Sequence, residues 1–86
     1  MKKNSLFFLH KIGDTSFLEY NDGTEKKMVF LNDTSVFLWE RIDEYQTQDE
    51  LVRLVISTYD VEHEIAERDV AAFVSFLLDN GCIELE

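Results

Sequence analysis

Hydrophobic and polar positions follow one period in the first third of the chain and another in the rest. "LFFLHKI" (6–12) is rich in β-formers, "TSFLEY" (15–20) alternates apolar and polar residues, and "KKMVFL" (26–31) forms a third short run. Gly13–Asp14 and Asn21–Asp22–Gly23 separate the three runs as turn signals, with Gly23 free to take a positive φ. The pattern predicts a three-stranded antiparallel meander that is too small to stand alone.

After Asn32 the period lengthens. Asn32 is a good N-cap and Asp33 faces the positive helix end, so a first helix is predicted through Val36, Phe37, Leu38, Trp39 and Ile42. Thr47 and Glu50 have the spacing of a capping box, opening a second helix that carries Leu51, Val52, Leu54, Val55 and Ile56 and fades near Ser57–Tyr59. A third helix is predicted from about Glu62 to Asn80, with Gly81 as its C′ residue and "CIELE" extended or frayed beyond it. The fold class is therefore α+β, three strands and then three helices, in one domain spanning residues 1–86.

The third helix is apolar around an unusually large part of its circumference. Glu64, Arg68, Ser75 and Asp79 make a solvent stripe, and the remainder divides into two neighbouring stripes. One holds Ile65, Asp69, Ala72, Phe73 and Phe76, the other Ala66, Val70, Val74, Leu77 and Leu78. Together they span roughly twice the ~100° that packing on one core requires. Three arrangements satisfy this: a central helix covered on both sides, a groove that accepts a partner peptide, or a homodimer interface.

Charge narrows the partners. Residues 1–31 carry five lysines against four acids, whereas residues 32–86 carry three arginines against fourteen acids, within a net charge of −10. The acidic helical half repels nucleic-acid phosphates and anionic membranes. The second helix offers only Arg53 and the third only Arg68 for base or phosphate contact, so DNA binding is not expected. No apolar run approaches the roughly 18 residues that would span a bilayer, and the apolar stretch Leu6–Leu9 is too short for a signal peptide. A cytoplasmic location is expected, which suits the single cysteine, Cys82.

Catalytic chemistry has little to work with. There is no phosphate-cradling glycine loop, no cysteine pair and no arguable Ser-His-Asp set. His63 and Glu67 share a helix face, but two histidines in the whole chain do not make a closed metal site. His10 is expected to be a partly exposed strand residue, Cys82 a small packing residue, and Trp39 a core anchor. No enzyme activity, metal or cofactor is expected.

Taken together, "VFLNDTSVFLWERI", "TQDELVRLVISTYDV" and "ERDVAAFVSFLLDNGCIE" resemble the PqqD family. The matching positions are Leu31, Asn32, Thr34, Leu38, Trp39, Glu50, Leu51, Tyr59, Asp60, Asp69, Val70, Phe73, Leu77 and Gly81, over about residues 29–84. The family's Gly-containing turn between its first two helices is replaced by "IDEYQTQ". The resemblance implies a winged helix-turn-helix-like fold and a non-catalytic peptide chaperone. Such a protein binds the leader of a ribosomally made precursor peptide and presents it to a modifying enzyme, such as a radical SAM enzyme or a peptidase. A pyrroloquinoline-quinone-type cofactor, a lasso peptide or another modified peptide would fit as the product.

An edge strand supplies unpaired backbone groups to an extended peptide, and adjoining pockets select its side chains. The resemblance implies that the leader adds as an extra strand beside the third strand, with its side chains in the groove between that strand and the third helix. This puts the edge at Lys27, Met28, Val29, Phe30 and Leu31 and the groove wall at Asp69, Ala72, Phe73 and Phe76. That stripe is preferred to Val70 and Val74 because its carboxylate can hold a peptide N–H or a basic group. The alternative role for Asp69 is a hydrogen bond to a backbone turn. The competing function is a homodimeric interaction module that covers the same groove with its own copy.

Overall fold

Each apolar run becomes the predicted element. In the computed structural model, which describes residues 1–84, β1 (Lys2–Lys3) precedes three longer strands, β2 (Phe7–Ile12), β3 (Thr15–Asn21) and β4 (Lys26–Leu31). Helix α1 (Asp33–Arg41), a 3-10 turn (Ile42–Glu44), α2 (Gln48–Tyr59), α3 (His63–Asp79) and β5 (Ile83–Glu84) follow. The architecture is the expected α+β order, an antiparallel three-stranded sheet β2-β3-β4 and then three helices.

The sheet register stacks Leu9, Leu18 and Val29 across one face, with Ser16 opposite Leu31 further along it. Leu18, Val29 and Leu31 are buried there and meet Leu38, Trp39, Leu51, Val55, Val70 and Leu77 from the helices in one core. Trp39 is a core residue, as expected, and Lys3 places its Nζ 5.1 Å from the indole centroid.

The helix ends explain why the helices start and stop where they do. The Asn32 side chain accepts the Ser35 N–H at 2.8 Å and caps α1. Thr47 accepts the Glu50 N–H at 3.3 Å, while the Glu50 carboxylate takes the Thr47 hydroxyl at 3.3 Å rather than the Thr47 N–H of a reciprocal box. Asp60 ends α2 in the left-handed region with φ 52°, a conformation that costs an aspartate less than most residues. At the end of α3, Gly81 has φ 72° and donates its N–H to Leu78, while Cys82 donates to Leu77 at 2.8 Å. These two bonds are the Schellman pattern, and they leave Leu77 and Cys82 buried together.

One element has no forerunner in the sequence pattern. β1 pairs with β5, Lys2 opposite Glu84 and Lys3 opposite Ile83, so the start of the chain closes against the segment after α3. Asn4 fastens the closure: its N–H donates to Cys82 O at 2.8 Å and its Nδ2 to Gly81 O at 3.1 Å, while its Oδ1 accepts the Leu6 N–H. The carboxy-terminal run expected as extended or frayed is thus a paired strand at Ile83–Glu84, and Leu85–Glu86 lie outside the described residues.

The wide apolar face of α3 divides between core and surface. Ala66, Val70, Val74 and Leu77 are buried, whereas Ile65, Phe76 and Leu78 keep 38%, 42% and 36% of their surfaces exposed. The helix is not covered on both sides. Of the stripe carrying Asp69, only Phe73 is taken into the core.

Candidate functional site

The open side of α3 faces the end of β4 across a groove of about 580 Å³. Phe30 and Leu31 of β4 form one rim, Asn32, Thr34 and Ser35 of the α1 entry close one end, and Asp69, Ala72 and Phe76 form the opposite wall. Leu38, Val55, Val70 and Phe73 make a buried apolar floor. Asp69 supplies the one charged side chain among these lining residues. Its carboxylate lies 3.8 Å from Arg68 Nε, is largely exposed, and makes no hydrogen bond to a turn among the described residues. The groove therefore joins an apolar floor to a single negatively charged side chain.

The strand beside it has an open edge, because among the described residues β4 pairs only with β3. Two turn bonds fix which backbone groups are free. Asp22 N–H donates to Glu25 O, and Asn21 N–H donates to Leu6 O. Hydrogen-bonded and non-hydrogen-bonded pairs alternate along an antiparallel ladder. Counting from Asp22–Glu25, the bonded pairs between β3 and β4 are Tyr20–Lys27, Leu18–Val29 and Ser16–Leu31. Counting from Leu6–Asn21, β2 uses the backbone of Phe17 and Glu19, so each β3 residue serves one neighbour. Lys26, Met28 and Phe30 consequently present their N–H and C=O groups to the open edge. Val29 turns its own towards β3.

A family model described as Coenzyme PQQ synthesis protein D (PqqD) matches residues 18–83, from within β3 to the first residue of β5. The chain belongs to the PqqD family. Among solved structures, one described as TbiB1 in complex with the TbiA(beta) leader peptide is similar with TM-score 0.75 and 21% identity, over 98% of this chain and 95% of that one. Another, described as lasso peptide synthetase B1 complexed with the leader peptide, is similar with TM-score 0.75 and 25% identity, over 96% and 95%. A search of curated proteins found no match.

Of the positions expected to contact a peptide, the groove brings together Phe30, Leu31, Asp69, Ala72, Phe73 and Phe76. Lys27, Met28 and Val29 lie along β4 outside that cavity; Val29 is a core residue, whereas Met28 is 54% exposed on the opposite face of the sheet. Periodicity did not single out Asn32, Thr34 and Ser35 as groove residues, although their place directly after the edge strand was a usable signal. Leu38 and Val55 were legible only as apolar helix positions, and Val70 belonged to the stripe not preferred for the groove; all three serve as both core and groove floor.

The remaining candidates have structural roles. His63 Nδ1 and Glu67 Oε1 stand 3.3 Å apart on the exposed first turns of α3, and no cluster suited to a metal ion occurs among the described residues. His10 stacks on Phe17 and lies 3.7 Å from Glu19 at the sheet surface. Cys82 is fully buried, and burial pushes its thiol up to about 11, which disfavours the reactive thiolate. No helix among the described residues is long and apolar enough to cross a membrane.

Proposed function

We propose that this chain binds the leader segment of a ribosomally made precursor peptide and presents it, without catalysis of its own, to a modifying enzyme. The observation that carries this reading is an open edge strand flanking an apolar groove, both formed by residues on either side of the β4–α1 junction and on α3. An extended peptide added to β4 satisfies the free backbone groups of Met28 and Phe30 whatever its sequence, and its alternate side chains reach the groove floor. Asp69 gives one of those side chains, or a peptide N–H, a charged partner. The similar structures are complexes with leader peptides, which supports leader binding here.

The partner enzyme would be a peptidase, a radical SAM enzyme or another component of a biosynthetic set working in the cytosol. A lasso peptide, a pyrroloquinoline-quinone-type cofactor or another modified peptide fits as the product. The acidic helical half suits a basic patch on that partner.

Calorimetric titration with synthetic leaders from small reading frames beside the gene tests the reading. Binding at micromolar affinity or tighter, about −8 kcal/mol, with a negative heat-capacity change supports it. Absence of binding to every such leader overturns it. A stable dimer in that case would favour the second reading, a self-associating module, for which the exposed Ile65, Phe76 and Leu78 are the motivating surface.

A further inference from the structure

The groove accounts for only one face of a strand added to β4, and the other face exposes apolar side chains as well, beside Glu19, His10 and Lys26. Side chains alternate along a strand, so Val29 and Leu31 point to the core and groove side while Met28 and Phe30 point to the opposite side of the sheet. There Met28 and Phe30 are 54% and 62% exposed, and Phe8 and Ile12 on β2 are 58% and 70% exposed. Phe17 sits between these strands on the same face. It is 6% exposed because Phe30 lies over it with ring centroids 5.9 Å apart and His10 stacks on it at 5.4 Å. Phe30 also lines the groove, so the two apolar surfaces meet at the strand edge.

We infer that Met28 and Phe30 read the outward-facing side chains of the bound leader, making the leader segment paired with β4 apolar at both sets of alternating positions. This rests on the leader-binding reading and specifies its ligand further. The register carries it. Residues of an added strand opposite Val29 and Leu31 turn into the groove, and those opposite Met28 and Phe30 fall on the outer face beside two exposed apolar side chains. Directly opposed side chains in an antiparallel pair stand about 4.5–5.5 Å apart at Cβ, close enough for contact. A charged or strongly polar residue there would be set against Met28 or the Phe30 ring. The recognised segment is therefore a short run of consecutive apolar residues, unlike the amphipathic strand that a one-sided groove would select.

The experiment is calorimetric titration of the full chain with synthetic leaders from small reading frames beside the gene, together with a serine scan of the peptide that binds. Met28→Ser alters the outer face alone, and Ala72→Arg fills the groove alone. Met28→Ser is expected to weaken binding about two- to fivefold, the range of one cross-strand pair, with an unchanged melting temperature. The serine scan is expected to lose affinity at consecutive positions. If Ala72→Arg abolishes binding while Met28→Ser binds as wild type and the scan is sensitive only at every second position, the outer face is not read and the groove reading survives. If no such leader binds, or Ala72→Arg has no effect, the leader-binding reading falls and this inference with it.

Discussion

The hydrogen-bond register along β4 separates two proline substitutions at adjacent positions. Val29 donates towards Leu18 inside the sheet, whereas Met28 donates to the open edge. Val29→Pro removes a ladder donor, strands a carbonyl of β3 and disturbs a residue only 6% exposed. The unpaired carbonyl alone costs about 1–3 kcal/mol, and lost packing adds to it. Domains of this size have total stabilities on the order of 5–10 kcal/mol. Met28→Pro sacrifices no internal bond and is tolerated as an edge-strand proline. Its cost falls on binding: one amide bond to an added strand is worth about 0.5–1.5 kcal/mol net, or roughly two- to twelvefold in Kd. Met28→Ala keeps the N–H and removes the side chain, so the ratio of Pro to Ala isolates the backbone bond. Urea unfolding followed by Trp39 fluorescence measures the first effect, and calorimetry with a leader peptide the second. Equal destabilisation by the two prolines would refute the register, and equal leader affinity of Met28→Pro and Met28→Ala would refute strand addition at that edge.

Three further outcomes are expected. Asn32→Ala, which removes the cap on Ser35 N–H, lowers stability by about 1 kcal/mol and the melting temperature by about 4–8 °C, read by circular dichroism. Asp22 accepts hydrogen bonds from the Glu25 and Thr24 N–H groups, the Thr24 hydroxyl and the Tyr20 hydroxyl, and these hold its carboxyl well below the usual carboxylate range. A depressed folded pKa stabilises the hairpin fully above the unfolded value near 3.8, and that contribution is lost progressively as pH falls from there through the lower folded pKa, so Asp22→Asn should flatten the acid limb of a stability–pH profile. Cys82, buried and with its thiol pushed up to about 11, should react with a disulfide reagent at pH 8 only when denaturant is present; rapid labelling of the native protein would contradict its burial.

Strand and helix positions were legible because each run keeps one period long enough to register, from "LFFLHKI" through "DVAAFVSFLLDNG". Caps at Asn32, Thr47 and Gly81 were legible because their chemistry is local, fixed within three or four residues. The pairing of Lys2–Lys3 with Ile83–Glu84 was not, since two-residue strands have no period and their contacts span nearly the whole chain. The wide face of α3 was visible as a surplus of apolar residues. How it divides depends on where β4 ends relative to the helix, which pattern alone does not specify. Asp69, Ala72 and Phe76 were named for the carboxylate in their stripe, and the cavity now places them on one wall.

Phe73 and Phe76 differ in exposure although both line the groove, and that difference separates binding from folding. Phe73 is 8% exposed and shares the core with Val70 and Leu77, so Phe73→Ala would cost about 3–5 kcal/mol of stability and confound any binding measurement. Phe76 is 42% exposed at the groove wall, and its surface is available to whatever covers it. Covering that share of a phenylalanine surface is worth at most about 2 kcal/mol at ~25 cal/mol per Å². Phe76→Ser should therefore weaken leader binding by up to roughly thirtyfold while the melting temperature moves little. If a second copy of the chain covered the groove instead, leader and copy would compete. Leader affinity would then fall as protein concentration rises, and Phe76→Ser would shift the sedimentation coefficient towards the monomer. Concentration-independent affinity with a monomeric wild type excludes that occupant and leaves the peptide.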